Sequence, residues 1–240
     1  MQVRKGKLVF YSALFMIAAF VLSSCLKSVE STPPKPQTYI SLLHLAPGAP
    51  SVDVYLNNTK STSAPVPPLT FFNRYSALEP NMYDVVFKKA GGDSVVASVP
   101  ADIYDSLTYS TIMLFNSKFG TGVDAVRIDD DFSQLSTSQT NYRFFHVAPG
   151  LMDVDFYFDD TKVASNRSYA DNTTMSYYNV FQVRDGGFFT LSVKKANSDS
   201  LILQTNTTLS AAQAYTIMLN GVPGGTGENA LAVDILQASN

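Results

Sequence analysis

A five-residue pattern near the start of the chain, His44-Leu45-Ala46-Pro47-Gly48, returns 102 residues later as His146-Val147-Ala148-Pro149-Gly150. Val52-Asp53-Val54-Tyr55-Leu56 returns at the same spacing as Val154-Asp155-Phe156-Tyr157-Phe158. Further on the spacing drifts to 106 and 105, as loop insertions require. Lys88-Lys89-Ala90 with Asp93-Ser94 matches Lys194-Lys195-Ala196 with Asp199-Ser200, and Ile112-Met113-Leu114 matches Ile217-Met218-Leu219. A chain that repeats itself at this period is constrained to two similar units, each of ordinary domain size and too long to be one turn of a solenoid. The first unit is placed at 38–132 and the second at 141–240, with the Ser/Thr/Gln-rich stretch 133–140 between them as a linker. Units joined in this way are expected to make modest contacts with each other and to fold independently.

Within a unit the period is two. Phe189, Leu191 and Val193 alternate with Thr190, Ser192 and Lys194, the pattern of an antiparallel strand with one face in the core and one in water. Seven such segments are predicted in the first unit, at 39–45, 52–56, 69–75, 83–89, 94–100, 109–116 and 124–130. Their counterparts are 141–147, 154–158, 174–180, 188–195, 201–207, 214–220 and 231–236. Turn signals such as Asn57-Asn58, Gly91-Gly92 and Asp185-Gly186-Gly187 separate them, and a low charged fraction of 15% with 13 Tyr and 16 Phe favours strand over helix. The expected fold is all-β, two tandem immunoglobulin-like antiparallel β-sandwich domains.

The first 24 residues carry a different signal. Arg4, Lys5 and Lys7 precede an apolar run from Leu8 to Leu22, which ends in Leu22-Ser23-Ser24-Cys25. That order marks a secretory signal peptide, and the run is short for a membrane span of ~20 residues. The small-small-Cys ending resembles the bacterial lipobox, so Cys25, the only cysteine, is the expected lipid attachment site. Residues 25–37, with Pro33, Pro34 and Pro36, read as an extended tether. Loss of residues 1–24 moves the formal net charge from −3 to −6. An acidic chain argues against a nucleic-acid partner, which demands a basic patch. The expected location is the outer membrane, on its periplasmic face or at the cell surface, with the lipid as the membrane anchor.

The pattern His-x-Ala-Pro-Gly followed by Val-Asp-Val-Tyr resembles a family of β-sandwich repeats in bacterial exported proteins, especially Bacteroidota lipoproteins, described only as a domain of unknown function. Both halves show it, although Leu151-Met152-Asp153 departs from the usual residues before Val154. The resemblance implies a fold and nothing settled about activity, since the family has no agreed catalytic site to carry over.

Candidate chemistry is sparse. His44 and His146, the only histidines, stand at equivalent positions with Asp53 and Asp155 one strand away, and a metal ligand or general base is weighed against a turn-bonding role. The structural role is preferred for all four, and no metal or cofactor is expected. Asp129-Asp130-Asp131 is read as a solvated strand end in preference to a Ca²⁺ site, and the same holds for Asp153, Asp155, Asp159 and Asp160. Gly221 to Gly227 lacks the Gly-Lys-Ser/Thr ending of a phosphate loop and reads as a hairpin loop. Ser94, Ser106 and Ser200 each follow Asp and precede an apolar residue, resembling the sites at which Bacteroidota attach O-glycans. Phe71, Phe72 and Tyr75 in one unit, and Tyr169, Tyr177 and Tyr178 in the other, are candidates for an exposed binding patch. The expected function is a non-enzymatic, lipid-anchored module that binds or adheres to a glycan or an envelope protein. A structural part of a transport or secretion assembly is the alternative.

Overall fold

The computed structural model describes residues 35–118 and 122–238. The expected signal peptide, Cys25 and most of the tether lie outside the described residues. The described chain is all-β, without an α-helix, and its strands form several sheets in an arrangement consistent with a β-sandwich. The first half contains β1 (Thr38–Leu45), β2 (Val52–Leu56), β3 (Thr59–Lys60), β4 (Thr70–Phe71), β5 (Ser76–Leu78), β6 (Asn81–Lys89), β7 (Val95–Tyr104), β8 (Tyr109–Asn116) and β9 (Val123–Asp130). The second contains β10 (Thr140–His146), β11 (Val154–Phe158), β12 (Thr161–Arg167), β13 (Gln182–Arg184), β14 (Gly187–Lys195), β15 (Leu201–Leu209), β16 (Ala214–Asn220) and β17 (Ala232–Ala238).

The first half forms one sheet in the order β4-β1-β8-β9, with β5 also on β1, and a second in the order β3-β2-β6-β7. The second half follows suit with β13-β10-β16-β17 and β12-β11-β14-β15. Two pairings depart from the all-antiparallel expectation, because β1 runs parallel to β8 and β10 parallel to β16. Parallel neighbours need a long crossover. Here the crossover runs out to the facing sheet, back to the edge pieces β4 and β5 (β13 in the second half), and through the facing sheet again.

Three apolar clusters hold these sheets. Val54, Phe87, Ile112 and Leu114 belong to one inside the first half, and Phe144, Phe156, Leu191 and Ile217 to another inside the second. The third joins the halves. Leu43, Leu45, Met113, Phe115 and Ile128 of the first sheet meet Phe145, Val147 and Met218 of β10, its following turn and β16. Alternation along β1 explains how one sheet serves two clusters, since Ile40 and Leu42 face one and Leu43 and Leu45 the other. The modest contact expected between the units is therefore replaced by a buried junction.

The segment 174–180, expected as a strand, forms no strand. Asp171–Thr173 and Ser176–Asn179 are 3-10 turns. Arg167 grips Asp171 through two 2.7 Å hydrogen bonds, both side chains being buried, and the Asp171 carbonyl accepts from the Thr174 and Met175 amides. This local network turns the chain across the sheet edge, and β13 takes up pairing with β10 only at Gln182.

Candidate functional site

The first half opens at one edge. Between the two sheets lies a cleft of about 490 Å³, within the roughly 300–1,000 Å³ typical of ligand pockets. Its floor is aliphatic, from Ile40 and Leu42 on β1, Val54 and Leu56 on β2, Val85 on β6 and Ile112 on β8. One wall is the segment 61–66 and the other carries Phe72, Arg74, Ser76 and Leu78. The first wall is fixed by backbone pairing. Val52 and Val66 exchange two hydrogen bonds of 2.9 and 2.8 Å, the Ser61 amide donates to the Val54 carbonyl at 2.8 Å, and the Val54 amide donates to Thr62 Oγ1 at 3.1 Å. Pro65, Pro67 and Pro68 stiffen the segment further. Leu69 then turns the chain into β4 at φ 57°, a left-handed conformation that is unfavourable for leucine.

The second half shows what closes such a cleft. Equivalent residues, among them Tyr142, Phe144, Val163, Ala164, Tyr178 and Val180, surround only about 20 Å³. Where the first half has Ile40, Leu42, Val54 and Leu56, the second has Tyr142, Phe144, Phe156 and Phe158. Those rings pack on one another, Phe144 stacked on Phe156 at 4.2 Å and Tyr142 edge-on to Phe158 at 4.9 Å. Leu78 and Arg184 hold the same register place, paired with Thr38 and Thr140. Leu78 lines the open cleft, whereas the Arg184 guanidinium lies 3.8 and 4.0 Å from the rings of Phe158 and Phe189. A seven-residue β12 replaces the two-residue β3 along the same edge.

Residues 38–152 match a domain of unknown function, DUF4397. The match covers just under half of the chain, takes in the cleft and both His-x-Ala-Pro-Gly patterns, and ends before β11. No curated protein matches the chain.

The histidines and aspartates predicted from the sequence lie away from the cleft, in the turns. His44 and His146 are fully buried and direct Nε2 to the carbonyls of Pro50 (3.3 Å) and Met152 (3.2 Å). The Ala148 amide donates to His146 Nδ1 at 3.4 Å. Burial pushes both imidazoles down, His146 to about 4, so each ring is neutral near pH 7. Neither histidine contacts the aspartate of its own repeat. Asp53 holds Lys60 Nζ at 3.0 Å and accepts from the Gly91 amide at 3.3 Å, and its carboxyl is lowered chiefly by the lysine. Asp155 repeats this with Lys162 at 2.6 Å and the amides of Asn166 and Asn197. Burial acts to raise its carboxyl, but the ammonium and the amides together outweigh burial and lower it. Each aspartate thus pins a hairpin lysine and a second turn of its sheet, β6–β7 for Asp53 and β14–β15 for Asp155.

The acidic run divides among separate partners. Asp129 bonds Arg127, Asp131 accepts from the Ser133 amide, and Asp130 is buried, departing from the solvated strand end expected there. Asp130 Oδ1 lies 2.7 Å from Arg143 Nη1, and its other oxygen accepts from Thr111 (2.6 Å) and Tyr75 (2.8 Å). Sequence reasoning missed this junction pair, because Arg143 stands where the first repeat has Ser41. Among the described residues no group of three or more His, Cys, Asp or Glu is placed to hold a metal. Between β16 and β17, a Cβ at Gly221 would collide with the Ala230 carbonyl and one at Gly225 with that of Asn229, so these glycines answer to close backbone approach. Ser94, Ser106 and Ser200 are exposed, in the turns β6–β7, β7–β8 and β14–β15. The aromatic candidates do not form one patch. Tyr75 and Tyr169 bond Asp130 and the Asn116 carbonyl at the junction, Phe71 packs against the junction cluster, and Tyr178 lies beneath Arg167. Phe72 and Tyr177 are exposed, with only Phe72 on the cleft.

Proposed function

We propose that this chain is a non-enzymatic, lipid-anchored envelope protein of two tandem immunoglobulin-like sandwiches, in which the first binds a ligand and the second is a filled scaffold. The observation that carries the binding reading is the contrast between about 490 and about 20 Å³ at equivalent places in one chain. Cores close to native density unless something occupies the space. The aliphatic floor favours a partner with an apolar body over a bare glycan. Among the described residues the cleft lining contains no histidine, cysteine or carboxylate, which supports binding without chemistry. The lipid anchor and outer-membrane location rest on Leu22-Ser23-Ser24-Cys25. O-glycan attachment at Ser94, Ser106 and Ser200 is supported by their exposure.

Two measurements test this reading. Residues 36–240, which contain all three apolar clusters, should bind an environment-sensitive apolar dye. Leu42→Phe and Val54→Phe, which install the residues of the second repeat, should weaken binding at least about tenfold with the thermal midpoint retained. Dye binding that is indifferent to both substitutions would count against the cleft. In cells, Cys25→Ala should abolish incorporation of labelled palmitate, and surviving incorporation would remove the anchor.

A further inference from the structure

The two repeats differ at the mouth of the cleft as well as on its floor. Where the second repeat has Val163, Ala164 and Val180, the first has Ser61, Thr62 and Arg74. At these three positions the first repeat is polar where the second is apolar, and its floor residues are smaller, so polar side chains stand at the opening of an apolar interior. Among the described residues Arg74 is the only ionisable one in the lining. It is exposed and has no hydrogen bond or ion pair among the described residues. Seven other arginine and lysine side chains, among them Lys60, Arg127, Arg143 and Arg167, are paired with carboxylates. A free guanidinium over an apolar slot, in a chain of net negative charge, is arranged to receive an anion from outside. Two lining hydroxyls, Ser76 on the same wall and Ser63 on the opposite one, make no side-chain hydrogen bond among the described residues either, and they supply further donors.

Resting on the binding reading above, we infer that the cleft takes a long-chain carboxylate, its alkyl chain on the Ile40–Leu42–Val54–Leu56 floor and its carboxylate on Arg74. A volume in the lower half of the ligand-pocket range suits one alkyl chain in preference to the pair carried by a phospholipid. The planar fork of arginine matches a carboxylate in two parallel hydrogen bonds, which fixes the headgroup at the lip. Burial of the alkyl chain on the floor provides the affinity.

The test uses the full chain in membrane vesicles, a photoreactive hexadecanoic acid, and the methyl ester of the same probe. The acid should label peptides containing residues 54–66 and 72–78 about tenfold more strongly than the ester. Arg74→Gln should bring acid labelling down to the level of the ester and leave ester labelling unchanged. Equal labelling of the cleft by acid and ester, indifferent to Arg74→Gln, would overturn the carboxylate assignment while the binding reading stands. No labelling of these peptides by either probe would overturn both. Because Arg74 is exposed and unpaired, its substitution leaves the fold intact, and the acid–ester comparison within the native protein decides the point independently.

Discussion

Asp130 and Arg143 meet at the junction of the two halves, with 0% and 2% of their side chains exposed. A buried pair stabilises little over a well-packed apolar substitute, but removing one partner strands the other charge at a cost of about 3–5 kcal/mol. Arg143→Ala should therefore lower the unfolding free energy by about that amount, and Asp130→Leu combined with Arg143→Met should recover most of it. Chemical denaturation of the two variants checks this, and equal losses in both would show that the charge pair is not the issue. His146 sets a second test. Its folded-state pKa of about 4 lies below the ordinary 6.5, so the unfolded chain binds the proton more tightly. Burial dominates this shift, with Asp171, Arg167 and Asp153 acting on the ring more weakly. Stability is unaffected above about pH 6.5 and falls as acid is added, by roughly 2–3 kcal/mol between pH 7 and pH 4.5. His44, lowered for the same reason, adds to the fall. The depressed carboxyls of Asp53 and Asp155 lose their contribution only at lower pH, so this window reports on the histidines. Urea unfolding at the two pH values should show the loss, smaller in His146→Gln, and a flat profile would contradict the buried neutral ring.

At the scale of elements, strand existence was largely legible and strand environment was not. The alternation in Phe189, Leu191 and Val193 marks β14 correctly as a strand, and the turn residues bound most of the others. In β10 and β16, however, every residue is buried, as are six of the eight in β8. For β8 and β16 the signal was present in the unbroken apolar runs Ile112 to Phe115 and Ile217 to Leu219, which mark a sheet covered on both faces; β10, with Thr140, Asn141 and Arg143, shows no such run. The 174–180 segment was misread because its geometry depends on Arg167 and Asp171, a pair that periodicity does not reveal. The cleft was half legible. The Ile40/Tyr142 and Leu42/Phe144 differences stand in the aligned repeats, but the shortening of β3 that leaves the edge open does not. Two-sided burial also changes what is expected of separated halves. Residues 38–134 or 138–240 alone would expose Leu43, Leu45, Met113 and Phe115, or Phe145, Val147 and Met218. At about 1.5–3 kcal/mol per large side chain, the loss approaches the roughly 5–15 kcal/mol stability of a domain. Each fragment should aggregate or melt well below the intact chain, and co-expression should restore a soluble complex. Two soluble fragments with the thermal midpoint of the parent would contradict a structural role for the junction.

For the whole molecule, the two repeats keep one plan and differ in how their interiors are filled. They keep the same histidine-stapled turns and the same Asp–Lys pins at Asp53–Lys60 and Asp155–Lys162. They differ where the first sandwich is open and the second is packed with stacked rings. The junction cluster packs the open unit against the filled one, so the proposed site would be preformed and its ordering cost on binding low. The central claim is that an apolar ligand enters the first sandwich and not the second. Methyl-resolved NMR of residues 36–240, titrated with dodecanoate below its micelle concentration, tests it most directly. The account predicts saturable shifts for the methyl groups of Ile40, Leu42, Val54, Leu56, Leu78 and Val85, with those of Leu191, Val193 and Ile217 unmoved. Shifts shared equally by both sets, or none in the first, would contradict it.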